Sequence, residues 1–157
     1  MSDEPYNLRR WAVQPGRLFT CGRPGRGTIG TERREVREDT ITRWVNGLPT
    51  GDLIQIVSLL GRKRDGYSEF SYYPFRSRSE VGHEPTFQEW LDQRYGPVFV
   101  VHEFPTVDLE DIPPDVLSAV KREVVDLIES ASTVVIVDSA GSVRSKAVCV
   151  ACGYKPV

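Results

Sequence analysis

The chain is poor in cysteine and has no long hydrophobic run, and each shortage excludes a class of protein. Its 157 residues include three cysteines, and this odd number excludes a complete disulfide framework within one chain. No stretch approaches about 18 apolar residues without a charge, so neither a membrane-spanning helix nor a membrane partner is expected. The first residues carry charges throughout and lack the apolar core of a signal peptide, which favours a cytoplasmic location.

The composition is that of one folded domain. Hydrophobic residues make up 39% and charged residues 27% of the chain, near the average for globular proteins, which excludes disorder for most of its length. A chain of this size buries about 70% of the surface that its unfolded form exposes, so it can form a stable core without disulfide cross-links. We divide the chain into an N-terminal arm, residues 1–15, and a domain, residues 16–157.

The net charge of -2 conceals an uneven distribution. Nine arginines lie between Arg9 and Arg43, and a basic aromatic segment follows at 62–78, so an anion- or nucleic-acid-binding module is one alternative for the function. Acidic residues such as Glu35 and Glu38 are interleaved with these arginines, which is typical of an ordinary solvated surface. We therefore interpret the aromatics of 67–75 as core residues and do not expect nucleic acid as a partner.

Strand and helix patterns alternate along the chain. Apolar runs of strand length predict strands at 16–21, 53–61, 98–104 and 132–137, with a short strand or extended segment at 67–75. Apolar residues spaced three and four positions apart, together with capping residues, predict helices at 35–46, 87–95, 115–130 and from 141 to 152. This alternation predicts an α/β fold with a central, mostly parallel sheet flanked by helices.

The junction after the last predicted strand has the features of an anion cradle. A buried strand ends at Val137, and a loop of small residues leads directly into a helix that contains Arg144. Small residues let backbone N–H groups converge on one point, the helix N-terminus adds partial positive charge, and arginine matches phosphate geometry.

These residues resemble the cysteine-dependent tyrosine and dual-specificity phosphatases, whose loop reads His-Cys-x5-Arg-Ser/Thr. Here 137–145 reads VDSAGSVRS, and 104–108 (FPTVD) places Asp108 thirty residues before Asp138, at the position of the family's general acid. The segments GRLFTCGRPG and LIQIVSLLG are similar to the first two strands of compact bacterial members. The resemblance implies a dual-specificity phosphatase-like fold, shortened at the C-terminus. It also implies a phosphate-binding loop of Ser139, Ala140, Gly141, Ser142, Val143, Arg144 and Ser145.

The chain departs from this family at the nucleophile. Asp138 occupies the position of the catalytic cysteine, and Val137 that of the histidine that orders the loop. A carboxylate about 4 Å from an incoming anion costs about 4 kcal/mol at an effective dielectric near 20. We expect it to fill the cradle itself, accepting loop N–H groups and pairing with Arg144. The sequence thus favours a catalytically inactive phosphatase-like protein that binds a phosphoprotein or oxyanion; the alternative is a phosphohydrolase with Asp138 as nucleophile.

The remaining candidates have plain structural interpretations. Cys149 and Cys152 have the spacing of half a zinc site, but in an apolar helix they are more typical of small buried residues, so no metal or cofactor is expected. His102 lies within an apolar strand and is interpreted as a sheet residue. Asp108 by itself is equally consistent with a turn residue and with a remnant of a general acid.

The end of the chain predicts an uncovered apolar surface. Its residues are Val148, Val150, Ala151 and Tyr154. An exposed apolar patch is typical of an interface, so we expect a homodimer that buries it. The alternative is that the arm, with Tyr6, Leu8 and Trp11, folds back and covers the patch within one chain.

Overall fold

The computed structural model describes residues 4–29 and 34–157. Its strands are β1 (Arg9–Ala12), β2 (Arg17–Gly22), β3 (Ile54–Ser58), β4 (Phe99–Glu103), β5 (Thr133–Asp138) and β6 (Lys155–Pro156). Its helices are α1 (Arg26–Ile29), α2 (Glu38–Asn46), α3 (Phe87–Tyr95), α4 (Pro114–Glu129) and α5 (Arg144–Ala151). None of the helices in these two ranges is long and apolar enough to span a bilayer.

The sheet has the strand order β4-β3-β5-β2-β1-β6. The neighbours β4, β3, β5 and β2 run parallel, whereas β1 is antiparallel to both β2 and β6. The predicted α/β class with a central, mostly parallel sheet is confirmed, and the antiparallel pairs lie at one edge. Parallel neighbours bring the carboxyl ends of β2, β3 and β5 to the same edge of the sheet, where ligands bind in open α/β folds.

Two hydrophobic cores cover the two faces of the sheet. Ile56 and Val135 face a core that includes Trp44 of α2 and Trp90 of α3. The alternate strand residues, such as Ile136, face a second core that includes residues of α4 and α5. Every residue of β3 and β5 is buried, which explains why these strands appear in the sequence as continuous apolar runs rather than as an alternation.

The helix predictions hold with small shifts at the ends. Helix α3 begins and ends as predicted, and its N-cap Thr86 forms the expected capping box with Glu89. Helix α2 begins at Glu38 rather than at residue 35, because the backbone of Arg37 is extended (φ -71°, ψ 150°); just before it, the N–H of Val36 donates to the Tyr72 carbonyl (2.8 Å). Gly153 ends α5 with φ of 80°, a left-handed conformation that favours glycine.

The aromatic segment 67–75 is not the predicted strand or extended segment. Backbone bonds from Ser71 to Ser68 (3.2 Å) and from Tyr73 to Phe70 (3.0 Å) fold it into consecutive turns. A strand would send adjacent side chains to opposite faces, whereas Tyr72 and Tyr73 are both buried in the same core. Phe70, Tyr72, Tyr73 and Phe75 are buried, whereas Tyr67 is exposed. The interpretation of these aromatics as core residues is therefore confirmed for residues 70–75 and is wrong for Tyr67.

Part of the segment predicted as an arm is a strand of the sheet. Strand β1 pairs with β2 and with β6, and neither β1 nor β6 was predicted from the sequence. Trp11 is 4% exposed, donates its indole N–H to the Thr20 hydroxyl (3.0 Å), and belongs to the same core as Val148. Trp11 therefore folds back as in the alternative that the sequence left open, whereas Tyr6, Leu8 and Val150 remain exposed. Residues 1–3 of the predicted arm lie outside the described residues.

Candidate functional site

The loop between β5 and α5 is centred at the carboxyl edge of the sheet. Asp138 is the last residue of β5, which lies between β2 and β3, and Arg144 is the first residue of α5. Gly141 in the loop has φ of 70°, and a Cβ there would lie 2.4 Å from the carbonyl carbon of Cys21. The loop can therefore pack against β2 at this point only because residue 141 is glycine.

The Asp138 carboxylate points into the loop that follows it. One oxygen accepts the N–H of Gly141 and the other accepts the N–H of Ser145 at 2.9 Å. The residue is only 2% exposed, and this burial raises the pKa of the carboxyl group above its usual value, although the N–H of Ser145 and the charge of Arg144 act in the opposite direction. The inner side of the loop thus carries a buried acid where the resembling phosphatases have a thiolate.

Arg144 makes a different ion pair from the one that the sequence predicted. Its guanidinium forms no salt bridge with Asp138; instead its two terminal nitrogens donate to both oxygens of Glu69, each at 2.9 Å. The hydroxyl of Thr106 (3.0 Å) and the carbonyl of Leu59 (3.2 Å) accept further bonds from it. Burial opposes the charge on Arg144, but its bonds to Glu69 and the charges of Glu69, Asp138 and Asp108 together outweigh this effect and raise its pKa.

Glu69 is the site residue that the sequence analysis missed. It is completely buried, and one of its two oxygens, both of which bind Arg144, also accepts the N–H of Gly61 at 3.0 Å. The available signal was a single carboxylate inside an aromatic core segment, because an acid buried there requires a positive partner. The sequence gives no indication of which cation that is, since Arg144 lies 75 positions further along the chain.

Asp108 is held between two cations. One carboxylate oxygen accepts from Arg144 at 3.2 Å, and the other accepts from the Lys63 ammonium at 2.7 Å. Partial burial alone would raise the pKa of this carboxyl group, but the hydrogen bond from Lys63 and the charge of Arg144 together lower it. At neutral pH Asp108 is therefore a stable anion, whereas a general acid must carry a proton.

These residues border a cavity of about 490 Å³ at the carboxyl edge of the sheet. It is lined by Arg26, Lys63, Arg64, Asp65, Asp108, Leu109, Asp138, Ser139, Ala140, Ser142, Val143 and Arg144. Among the described residues, its wall thus contains four basic and three acidic side chains, with the Glu69 carboxylate behind Arg144. The side chains of Leu109 and Val143 are largely exposed and form an apolar rim.

The other sequence candidates lie outside this cavity. Cys149 is buried in the second core, and burial raises the pKa of its thiol and that of Cys152. Within residues 4–29 and 34–157, no group of three or more potential ligand side chains is placed to hold a metal ion. His102 shares a hydrogen bond with Gln55 (2.7 Å) and lies 3.2 Å from a carboxylate oxygen of Glu123, so it is a partnered sheet residue.

Comparison with solved structures defines the class of fold. The crystal structure of a kinase-associated phosphatase, with serine in place of its catalytic-site cysteine, matches 94% of this chain and 72% of its own at a TM-score of 0.60 and 15% identity. Two structures of Tk-PTP, the active form and a glycine-to-alanine mutant, match 90% of this chain and 70% and 69% of their own. Their TM-scores are 0.49, with 17% and 18% identity. No protein-family model and no curated protein sequence matches the chain.

The chain therefore has the fold of a dual-specificity phosphatase. The resemblance inferred from residues 137–145 and 104–108 is confirmed at the level of the fold.

Proposed function

We propose that this is a catalytically inactive phosphatase-like protein that acts by binding, and that its ligand is an oxyanion such as the phosphoryl group of a phosphoprotein. The observation that carries the proposal is the hydrogen bonding of the Asp138 carboxylate. At the position where the resemblance places a nucleophile, both carboxylate oxygens accept loop N–H groups.

Two features of the site oppose hydrolysis. Attack on phosphorus needs an oxygen that can approach the phosphoryl group, and the Asp138 carboxylate is 2% exposed with both oxygens engaged. The second feature is the low pKa of Asp108, which leaves this residue without a proton for the leaving group at neutral pH. An active phosphohydrolase that uses Asp138 is the alternative, and it would have to overcome both.

Other features of the cavity support binding of an anion. Arg144 is rigidly oriented by Glu69 and Thr106 at the start of α5, and Lys63 and Arg64 lie in the same wall. Guanidinium and ammonium groups with backbone N–H donors are the usual partners of phosphate. The negative charge of Asp138 opposes the attraction of these basic groups and N–H donors for a dianion, so it determines how strongly the cavity binds one.

Substitution of Asp138 tests both parts of the proposal. The native protein should not hydrolyse an aryl phosphate above background, with or without Mg²⁺. Asp138→Ser leaves the loop N–H groups and Arg144 available but removes a negative charge. It should therefore bind sulfate, phosphate or vanadate at least about tenfold more tightly than the native chain in isothermal titration, a fraction of the roughly 4 kcal/mol expected for one unscreened pair.

Asp52→Ser is the matched control, because this exposed aspartate precedes β3 and so lies at the opposite edge of the sheet. It should leave anion affinity unchanged. Metal-independent hydrolysis by the native chain that Asp138→Asn abolishes would contradict inactivity and favour the alternative. Equal anion affinity in the native chain and in Asp138→Ser would contradict the assignment of the cavity as an anion site.

A further inference from the structure

The side chain of Asn7 reaches the loop from the other end of the chain. Its amide nitrogen donates to the carbonyl oxygens of Ala140 (3.1 Å) and Gly141 (3.0 Å), which lie 133 and 134 positions away in the sequence. We propose that Asn7 is a positioning residue that orients the peptide groups of the anion-binding loop. This inference rests on the proposed function, because it concerns the same loop.

The argument follows from the geometry of the peptide bond. In a planar trans peptide, the carbonyl of one residue and the N–H of the next point in opposite directions. Because Asn7 holds the Ala140 carbonyl on the outside, the N–H of Gly141 must point inward, where it meets the Asp138 carboxylate. By the same rule, the bond to the Gly141 carbonyl turns the N–H of Ser142 toward the cavity that this residue lines.

Asn7 is itself held in one orientation. Its side-chain oxygen accepts from the Arg9 guanidinium at 3.0 Å, and since arginine can only donate, the amide nitrogen is left to face the loop carbonyls, which can only accept. Its backbone has φ of 58°, a left-handed conformation that asparagine tolerates better than most residues. The preceding carbonyl, of Tyr6, accepts from the N–H of Gly22 at 2.8 Å and ties this segment to the end of β2.

From the strand that precedes the loop, Asp138 accepts loop N–H groups, but an ionised carboxylate cannot donate to the loop carbonyls. The side chain of Val137, directly before Asp138, is apolar and buried in the first core, so it donates no hydrogen bond. The turn also forms a β-bridge with the end of β2, between Gly22 and Ala140, and the N–H of Arg23 donates to the Ser139 carbonyl at 3.2 Å. Asn7 adds to this contact at the next two carbonyls of the loop.

Two substitutions separate the side-chain bonds from the backbone conformation. Asn7→Gly keeps the left-handed backbone and removes the amide, whereas Asn7→Asp keeps the shape and presents oxygen to the two carbonyls. In the Asp138→Ser background, we expect each to lower sulfate affinity by roughly tenfold and to speed amide hydrogen exchange at Gly141 and Ser142. Asn46→Gly, at the exposed end of α2, is the control and should change neither quantity.

The two readouts distinguish failure of this inference from failure of the proposed function. If Asp138→Ser itself does not bind sulfate, the proposed function fails, and amide exchange in Asn7→Gly still tests the role of Asn7. If Gly141 and Ser142 exchange at the native rate in Asn7→Gly, the inference is overturned whatever the affinity. A residue that only stabilised the fold would lower the melting temperature but leave sulfate affinity of the folded protein unchanged, and that result would also overturn it.

Discussion

Replacing Glu69 with glutamine removes the negative charge that faces Arg144 and leaves the shape of the side chain almost unchanged. Both partners are buried, since Glu69 is fully inaccessible and the side chain of Arg144 is 2% exposed. Water therefore cannot take the place of the lost carboxylate. Of the remaining anions, Asp108 contacts Arg144 at 3.2 Å but is shared with Lys63.

The structure fixes the size of the expected effect. Removing one partner of a buried ion pair costs about 3–5 kcal/mol, because it leaves an uncompensated charge in the interior. The glutamine amide adds to this cost, since in either orientation its NH₂ group would face an Arg144 nitrogen, and in one orientation also the N–H of Gly61. For a chain of this length, such a loss lowers the melting temperature by roughly 6–20 °C.

Urea denaturation measures this loss, with the midpoint shifting and the slope unchanged. Arg37→Gln is the control, because its pair with Asp39 is exposed and should contribute less than about 1 kcal/mol. The double variant Glu69→Gln, Arg144→Met should recover part of the stability, since it removes the stranded charge. A loss below about 1 kcal/mol in Glu69→Gln would refute the reasoning, because it would show that the guanidinium is solvated or fully compensated by Asp108.

Three further predictions concern the loop and the surface. Burial raises the pKa of Asp138, so the sulfate affinity of the native chain should rise as the pH falls from neutral toward that pKa. The sulfate affinity of Asp138→Ser should change less with pH. Parallel sulfate titrations of both proteins at several pH values check this. Gly141→Ala should cost several kcal/mol in urea denaturation, because its Cβ would lie 2.4 Å from the Cys21 carbonyl carbon and φ is positive; a loss under about 1 kcal/mol would contradict the loop conformation. A homodimer through the C-terminal surface remains expected because Val150 stays exposed there; light scattering at micromolar concentration checks it, and a monomer would contradict it.

The sequence predicted those parts of the molecule that depend on local patterns. The continuous apolar runs of β3 and β5, the capping box of α3 and the loop before Arg144 all lie within short segments, so periodicity and residue type were enough. Strands β1 and β6 escaped prediction because each is short and is defined by its pairing with a distant segment. The partners of the site, Glu69 and Asn7, escaped for the same reason: a single polar residue does not indicate which distant group it will bind.

The position of β5 between β2 and β3 has a consequence for how the chain is synthesised. On the ribosome, β1 and β2 emerge early and β3 and β4 later, but β5 is needed to join them into one sheet. Until then the apolar edges of β2 and β3 have no partner, and unpaired strand edges are prone to aggregation. A nascent chain that stalls before residue 133 therefore leaves both edges without the strand that joins them.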